Sequence, residues 1–375
     1  MKKQDGKLLY LKYKDDIDHV TPFEVMELEY MQLENGFSVH QILEYSDKLV
    51  NVFYMSLKEF DWKQPENDSF LYYMMLENTA LKEKLSLIKE LIKKQDYHKH
   101  GLTLISLFTQ LKIFDAHYQK KENILFPCLE KKMKSYHGLK VMWELHDQIR
   151  KNLKNVIQLL ENDETDTMAV NQSIGKLFFQ MNGLIQKEQL ILFPAASFLL
   201  TENEFAALKI QSFDYGFPFI LQPEKKEEKM MQGKEDERRE ASFISGNTGN
   251  LSIEQLLLVF SYLPVDITMI DENNKVVFYS DSKDRIFKRS PAVIGRDVRN
   301  CHPPKSVQIV EKILDSFRNG EKSKAEFWIT IHDKKVYITY YAVRNDEGTY
   351  KGTMEVTQDV TEIQKATGEK RLLDW

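Results

Sequence analysis

At 375 residues, with 42% hydrophobic and 29% charged side chains, the chain reads as globular and is too long for one ordinary core, so two or three domains are expected. A net charge of −5 and a pI near 6.1 give no basic footprint for nucleic acid. No apolar run approaches a membrane span and the N-terminus carries no signal peptide, so a cytoplasmic protein is expected. The two cysteines, Cys128 and Cys301, exclude a disulfide framework and a four-cysteine zinc site, which leaves histidine and carboxylate for any metal chemistry.

Residues 1–64 predict a small helical unit. In "TPFEVMELEYMQLENGF", Thr21 caps a helix with Pro22 at its first position and Glu24 completing a capping box, and Asn35-Gly36 ends it. Ser38 restarts a helix with Ile42, Leu49, Val50 and Phe53 as its apolar positions. From 68 to 219 the periodicity stays helical. Four stripes follow one another: Met74, Leu81, Leu85, Ile88, Ile92; Leu107, Leu111, Phe114, Tyr118; Met142, Ile149, Leu153, Val156, Leu160; and Ile174, Leu177, Met181, Leu184. Joined by short loops, they predict a four-helix bundle.

Two hairpins of that bundle echo each other. "HYQKKENILFP" (His117–Pro127) returns as "LIQKEQLILFP" (Leu184–Pro194), with the histidine replaced by leucine and the apolar tail kept. His117 and His146 lie on or beside their apolar stripes, Glu188 lies on the stripe of Met181 and Leu184, and Glu122 sits one position further round. Inward histidines and carboxylates on facing helices are the ligand chemistry of a bundle iron site. An alternative needs no metal. Lys121 and Glu188 are equivalent positions of the repeat, and a buried pair between them would satisfy both charges. His98 and His100 in "DYHKHGL" fall at a helix boundary and are expected to be exposed.

The stretch 220–250, with "EKKEEKMMQGKEDERRE" at its centre, has almost nothing to bury and predicts a charged linker, partly helical. From 251 to 368 the period changes. "DITMIDENNKVVFYS" reads as strand, turn, strand, and "AEFWITI", "KKVYITYYAV" and "GTYKGTMEVTQDV" as further strands, with a helix over Ser306–Phe317 closed by Asn319-Gly320. This is a compact α+β domain.

The repeat "KKENILFP" after a histidine resembles the hemerythrin-like HHE cation-binding family. "VMWELHDQIR" is similar to the third-helix histidine segment of one branch, in which a helical domain of unknown function precedes the bundle and a PAS domain follows it. "SPAVIGRDVRNCHPPKSVQIVEKIL" and "EVTQDVTEI" look like the PAS segment of that branch, so the resemblance spans essentially the whole chain. It implies an all-α N-terminal unit and bundle followed by a PAS domain with an antiparallel sheet. The family's metal site expects a histidine on each helix and a carboxylate on the second and fourth. Carried over, His117 and Glu122 match the second helix, His146 the third, and Glu188 the fourth. The first-helix position falls on Tyr72 and the remaining histidine position on Leu184. A reduced iron site, mononuclear or dinuclear and with a Tyr72 phenolate, is one expectation; the Lys121–Glu188 pair is the other.

In the PAS segment His302 is a candidate haem ligand and Cys301 an alternative ligand or redox-sensitive thiol. The competing reading is that Pro303-Pro304 simply start the next helix. Phe327, Trp328, Tyr337, Tyr340 and Tyr341 are expected in core and dimer face. No catalytic triad, phosphate-cradling loop or paired-cysteine motif appears, and no output domain is expected beyond "EKRLLDW". The expected function is a non-enzymatic sensor of oxygen, nitric oxide, iron or redox state that signals to a protein partner or a second copy through the PAS domain, without nucleic acid or membrane. A metal-free scaffold is the alternative, and an iron-dependent oxygen-activating or iron–sulfur repair enzyme a third reading.

Overall fold

A computed structural model describes residues 6–93, 97–134, 136–162, 166–224, 243–246, 249–282, 285–331 and 333–369. The chain divides into two compact units, 1–225 and 226–375. The core of the expected linker lies outside the described residues. Among the flanking residues, Phe243–Gly246 and Gly249–Ser252 pair as a short antiparallel hairpin.

The first unit is helical. Helix α1 (Pro22–Glu34) begins with the expected capping box: Thr21 Oγ1 accepts from the Glu24 amide, and Glu24 Oε2 accepts from the Thr21 amide at 2.8 Å. Ser38 and Gln41 repeat the device for α2 (Val39–Val52). These helices build no core of their own. Val25, Met26, Val50 and Leu57 belong to the same apolar cluster as the bundle. Buried Lys187, from the fourth bundle helix, reaches back to Ser46 Oγ and to Glu29 Oε1.

The bundle's first helix, α3, runs Phe70–Lys93. Its second begins as α4 (Tyr97–Leu111), passes a 3-10 turn over Lys112–Phe114, and continues as α5 (Asp115–Lys120), a π turn over Lys121–Leu125, and α6 (Phe126–Lys132). The third, α7, spans Leu139–Glu161. The fourth, α8 (Thr167–Lys187), passes a π turn over Glu188–Leu192 into α9 (Phe193–Leu199). The two π turns occupy equivalent positions of the repeat, each ended by Phe-Pro. One residue beyond the α-helical count re-aims the side chains that follow, and such turns gather at functional sites.

The second unit is a five-stranded antiparallel sheet of β1 (Asp266–Asp271), β2 (Val276–Tyr279), β3 (Lys324–Ile331), β4 (Lys334–Arg344) and β5 (Tyr350–Asp359), ordered β2-β1-β5-β4-β3. A helix over Pro304–Arg318, α10, lays Leu314 against Ile270 and Val276 in a small core. Pro303 precedes this helix and Pro304 opens it, as the local reading of that dipeptide expects. Gly352 is obligatory where β5 passes β1: its φ is +141°, and a Cβ there would lie 2.0 Å from the Ile270 carbonyl oxygen.

Candidate functional site

Apolar stripes turn the four bundle helices inward, and the polar residues on those stripes meet in the centre. His117 lies between two carboxylates, its Nδ1 2.7 Å from Glu77 Oε2 and its Nε2 2.9 Å from Glu188 Oε2. Lys120 bonds Glu77 Oε1 and Lys121 bonds Glu188 Oε1, while Asn78 Nδ2 donates to Glu188 Oε2 at 2.7 Å. On the next face, Glu122 accepts from Arg150 Nη1 and Nη2 at 2.9 and 3.0 Å and meets His146 Nδ1 at 2.7 Å. Arg150 Nε also donates to Asp115, at 2.6 Å. Glu77, Asn78, His117, Lys120, Lys121, His146 and Glu188 all have 0% exposure, so this is a fully buried polar core.

The electrostatics follow from burial and pairing. Desolvation pushes the Glu188 carboxyl up, but Lys121 and His117 outweigh it and hold the group below the usual carboxylate range. Burial pulls the Lys120 and Lys121 ammonium groups down against the opposing pull of Glu77 and Glu188. His146 is driven well below its ordinary value by burial, then by Lys121 and Arg150, and stands neutral. Its ring stacks on Tyr118 at 4.7 Å, and its Nε2 has no hydrogen-bond partner.

His117, Glu122, His146 and Glu188 are therefore brought together as their positions on the stripes suggest. Tyr72 is not. It lies half-buried on another side of α3, edge-on to Tyr73, and the first-helix contribution comes from Glu77 and Asn78. Sequence reading also missed Lys120 and Arg150. For Glu77 and Asn78 a visible signal existed, since "EN" interrupts the Met74–Leu81 stripe at core spacing. The side chains of His98 and His100 lie outside the described residues.

These groups do not fit an iron ion. Both His117 nitrogens face carboxylates, and the carboxylates of Glu77, Glu122 and Glu188 are all engaged by Lys120, Arg150, Lys121, Asn78 and the two imidazoles, so His146 Nε2 is left as the cluster's one unengaged imidazole nitrogen, too few for an iron site. Among the described residues no three His, Cys, Asp or Glu side chains are arranged to hold a metal. Adding a dication beside Glu77 and Glu188, each already matched by its own buried lysine, would leave net buried charge, which is costly.

The PAS sheet and α10 line a separate, partly open cavity of about 30 Å³. Ile270, Val276, Val298, Val310 and Leu314 form its apolar wall, and Arg289, His302, Tyr340 and Glu355 its polar end. Tyr340 and Glu355 are cross-strand partners on β4 and β5; burial, then Glu355, push the phenol far up. Burial pushes His302 down, so it is neutral. Arg289 Nε is buried without a hydrogen-bond partner. Cys301 lines the same cavity and donates its thiol to the Asp297 carbonyl. Haem does not fit here, because ligands of that size need pockets of about 300–1,000 Å³.

The family model for the hemerythrin HHE cation-binding domain matches residues 69–196, and that for a PAS domain matches 256–361. The chain joins a hemerythrin-like domain to a C-terminal PAS domain. Comparison with curated proteins gives no match. Among solved structures, a C-terminal domain from Streptococcus mutans is 35% identical, covering 33% of this chain and 96% of that one, with a TM-score of 0.32. A PAS domain from Colwellia psychrerythraea is 16% identical over 29% of this chain and 98% of that one, TM-score 0.24. The PAS domain of Bordetella pertussis BvgS is 18% identical over 30% and 89%, TM-score 0.25. The pairing of hemerythrin-like and PAS domains points to a sensory or regulatory role. No helix among the described residues is long and apolar enough to cross a membrane.

Proposed function

We propose that this is a non-enzymatic regulatory protein whose input is the PAS cavity, and that the cavity takes a short carboxylate with an apolar tail. One observation carries the reading: Arg289 Nε is buried and unpartnered at the polar end of the cavity, which it shares with His302, Tyr340 and Glu355. A buried donor without an acceptor costs free energy that an incoming carboxylate recovers, and guanidinium matches a carboxylate in shape and charge. The small volume supports a ligand of few carbon atoms. Output passes by contact with a second copy or another protein, which the exposed Phe327, Trp328 and Ile329 of β3 and Tyr341 of β4 support. A response to gas or iron in the bundle has less support, because its carboxylates are already paired.

Titration calorimetry of the full chain with propionate and butyrate tests the ligand class, with butylamine as the control of opposite charge. The expected result is saturable carboxylate binding that Arg289→Gln weakens at least tenfold, about 1.4 kcal/mol, the lower part of the range for a hydrogen bond to a charged group. Carboxylate binding that survives Arg289→Gln, or binding of the amine alone, overturns the assignment.

A further inference from the structure

We infer that Lys121, aided by Lys120, is the bundle's resident cation: its ammonium pairs with Glu188, the carboxylate that matches the fourth-helix ligand of the HHE family, and removing that ammonium opens a divalent-cation site in this chain. The inference is independent of the PAS reading. Lys121 and Glu188 are equivalent positions of the duplicated hairpin, each first in its π turn, and they meet in the core at 0% exposure. In a duplicated metal site those positions face a common centre. Here one copy supplies the anion and the other a tethered cation.

The pairing agrees: Lys120 matches Glu77 and Lys121 matches Glu188 one for one, while Arg150 serves Glu122, Asp115 and Asp147. The cluster also keeps potential ligand atoms that this ammonium arrangement leaves idle. His146 Nε2, Asn78 Oδ1 and Tyr118 Oη are buried without hydrogen-bond partners. Lys121 Nζ lies 5.1 Å from the centre of the Tyr118 ring and, after burial itself, is the foremost influence lowering His146. Cutting Lys121 back to alanine frees Glu188 Oε1 and removes the ammonium from over the Tyr118 ring, on which His146 stacks, while Asn78 stays bonded to the other Glu188 oxygen. A borderline divalent ion prefers such a mixed nitrogen and oxygen set.

The test uses cobalt(II) as probe, read by visible ligand-field absorption and by the thermal midpoint of the full chain's helical signal. The wild type is expected to show no cobalt absorption and no midpoint shift with cobalt or chelator. Lys121→Ala is expected to melt lower without metal, then with cobalt to gain absorption and recover about 5–10 °C at a hundredfold excess over Kd. Stoichiometric cobalt or iron in the wild type, with a midpoint that falls on chelation, overturns the inference. So does a folded Lys121→Ala that ignores cobalt, or an unfolded one that cobalt does not rescue.

Discussion

The Lys121–Glu188 pair gives a decisive energetic test in a double-mutant cycle. Lys121→Met leaves the Glu188 carboxylate buried with only His117 and Asn78 as partners. Removing one member of a buried pair costs about 3–5 kcal/mol, because the survivor keeps its desolvation penalty. For a helical unit of this size that lowers the melting midpoint by about 6–20 °C. Glu188→Gln keeps an oxygen for His117 and Asn78 but leaves Lys121 without its counter-charge, at about 2–3 kcal/mol. In the double variant both charges are gone while the neutral hydrogen bonds to residue 188 remain, so the loss should fall well short of the sum. A coupling of about 2–3 kcal/mol is expected. The assay is urea unfolding followed by far-ultraviolet circular dichroism, with chelator throughout. Additive single losses would refute the pairing and with it the claim that these two residues balance each other.

Acid should weaken the helical unit in two stages. His146 is held below its ordinary value, so its contribution is complete above the unfolded pKa of about 6.5 and declines as pH falls below that. Glu188 is also held low, so its share is present above about 4.3 and is lost on further acidification through its folded value. Urea midpoints measured across that range should fall in both windows, and His146→Gln should flatten only the upper one. Gly352→Ala should destabilise the PAS domain by about 3 kcal/mol or more, since the added carbon meets the Ile270 carbonyl. Near-ultraviolet circular dichroism reads that loss, and an unchanged transition would show that β5 can move away from β1.

The architecture was legible because its signals are local. Capping boxes at Thr21 and Ser38, four stripes at helical spacing and strands around "DENN" each declare themselves within a few residues. The centre of the bundle was legible in part. His117, His146, Glu122 and Glu188 stand out as polar residues on or beside apolar stripes, and the repeat placed Lys121 opposite Glu188. Tyr72 failed because counting from "LENTAL" in a single sequence leaves the rotation of α3 undetermined, and Glu77 and Asn78 face the centre instead. Lys120 escaped notice because consecutive inward residues violate helical periodicity. The π turns permit it, since Lys120, Lys121 and Glu122 point to three different neighbours: Glu77, Glu188 and the His146–Arg150 pair. The cavity of the PAS domain was legible only at Cys301 and His302, because Arg289, Tyr340 and Glu355 come from separated segments that only the sheet brings to them.

The lysine at 121 makes an imidazole at 184 ineffective as a metal ligand on its own. A bound dication beside an ammonium repels it by several kcal/mol at the effective dielectric of a protein, about 4 kcal/mol for two unit charges 4 Å apart at ε near 20. Lysine at 121 therefore removes the need for an imidazole at 184, the counterpart of His117, and leucine there adds core packing at 2% exposure. Restoring the imidazole alone should consequently not restore metal affinity. Leu184→His in the wild-type background is expected to bind no cobalt and to lose about 2–5 kcal/mol of stability from the lost apolar burial and the unpaired polar group. In the Lys121→Ala background the same substitution should tighten cobalt binding by at least tenfold, since it adds a nitrogen ligand to a centre no longer occupied by an ammonium. Cobalt binding by the single Leu184→His variant would break this logic, because it would mean that the missing imidazole and not the resident lysine keeps the ion out.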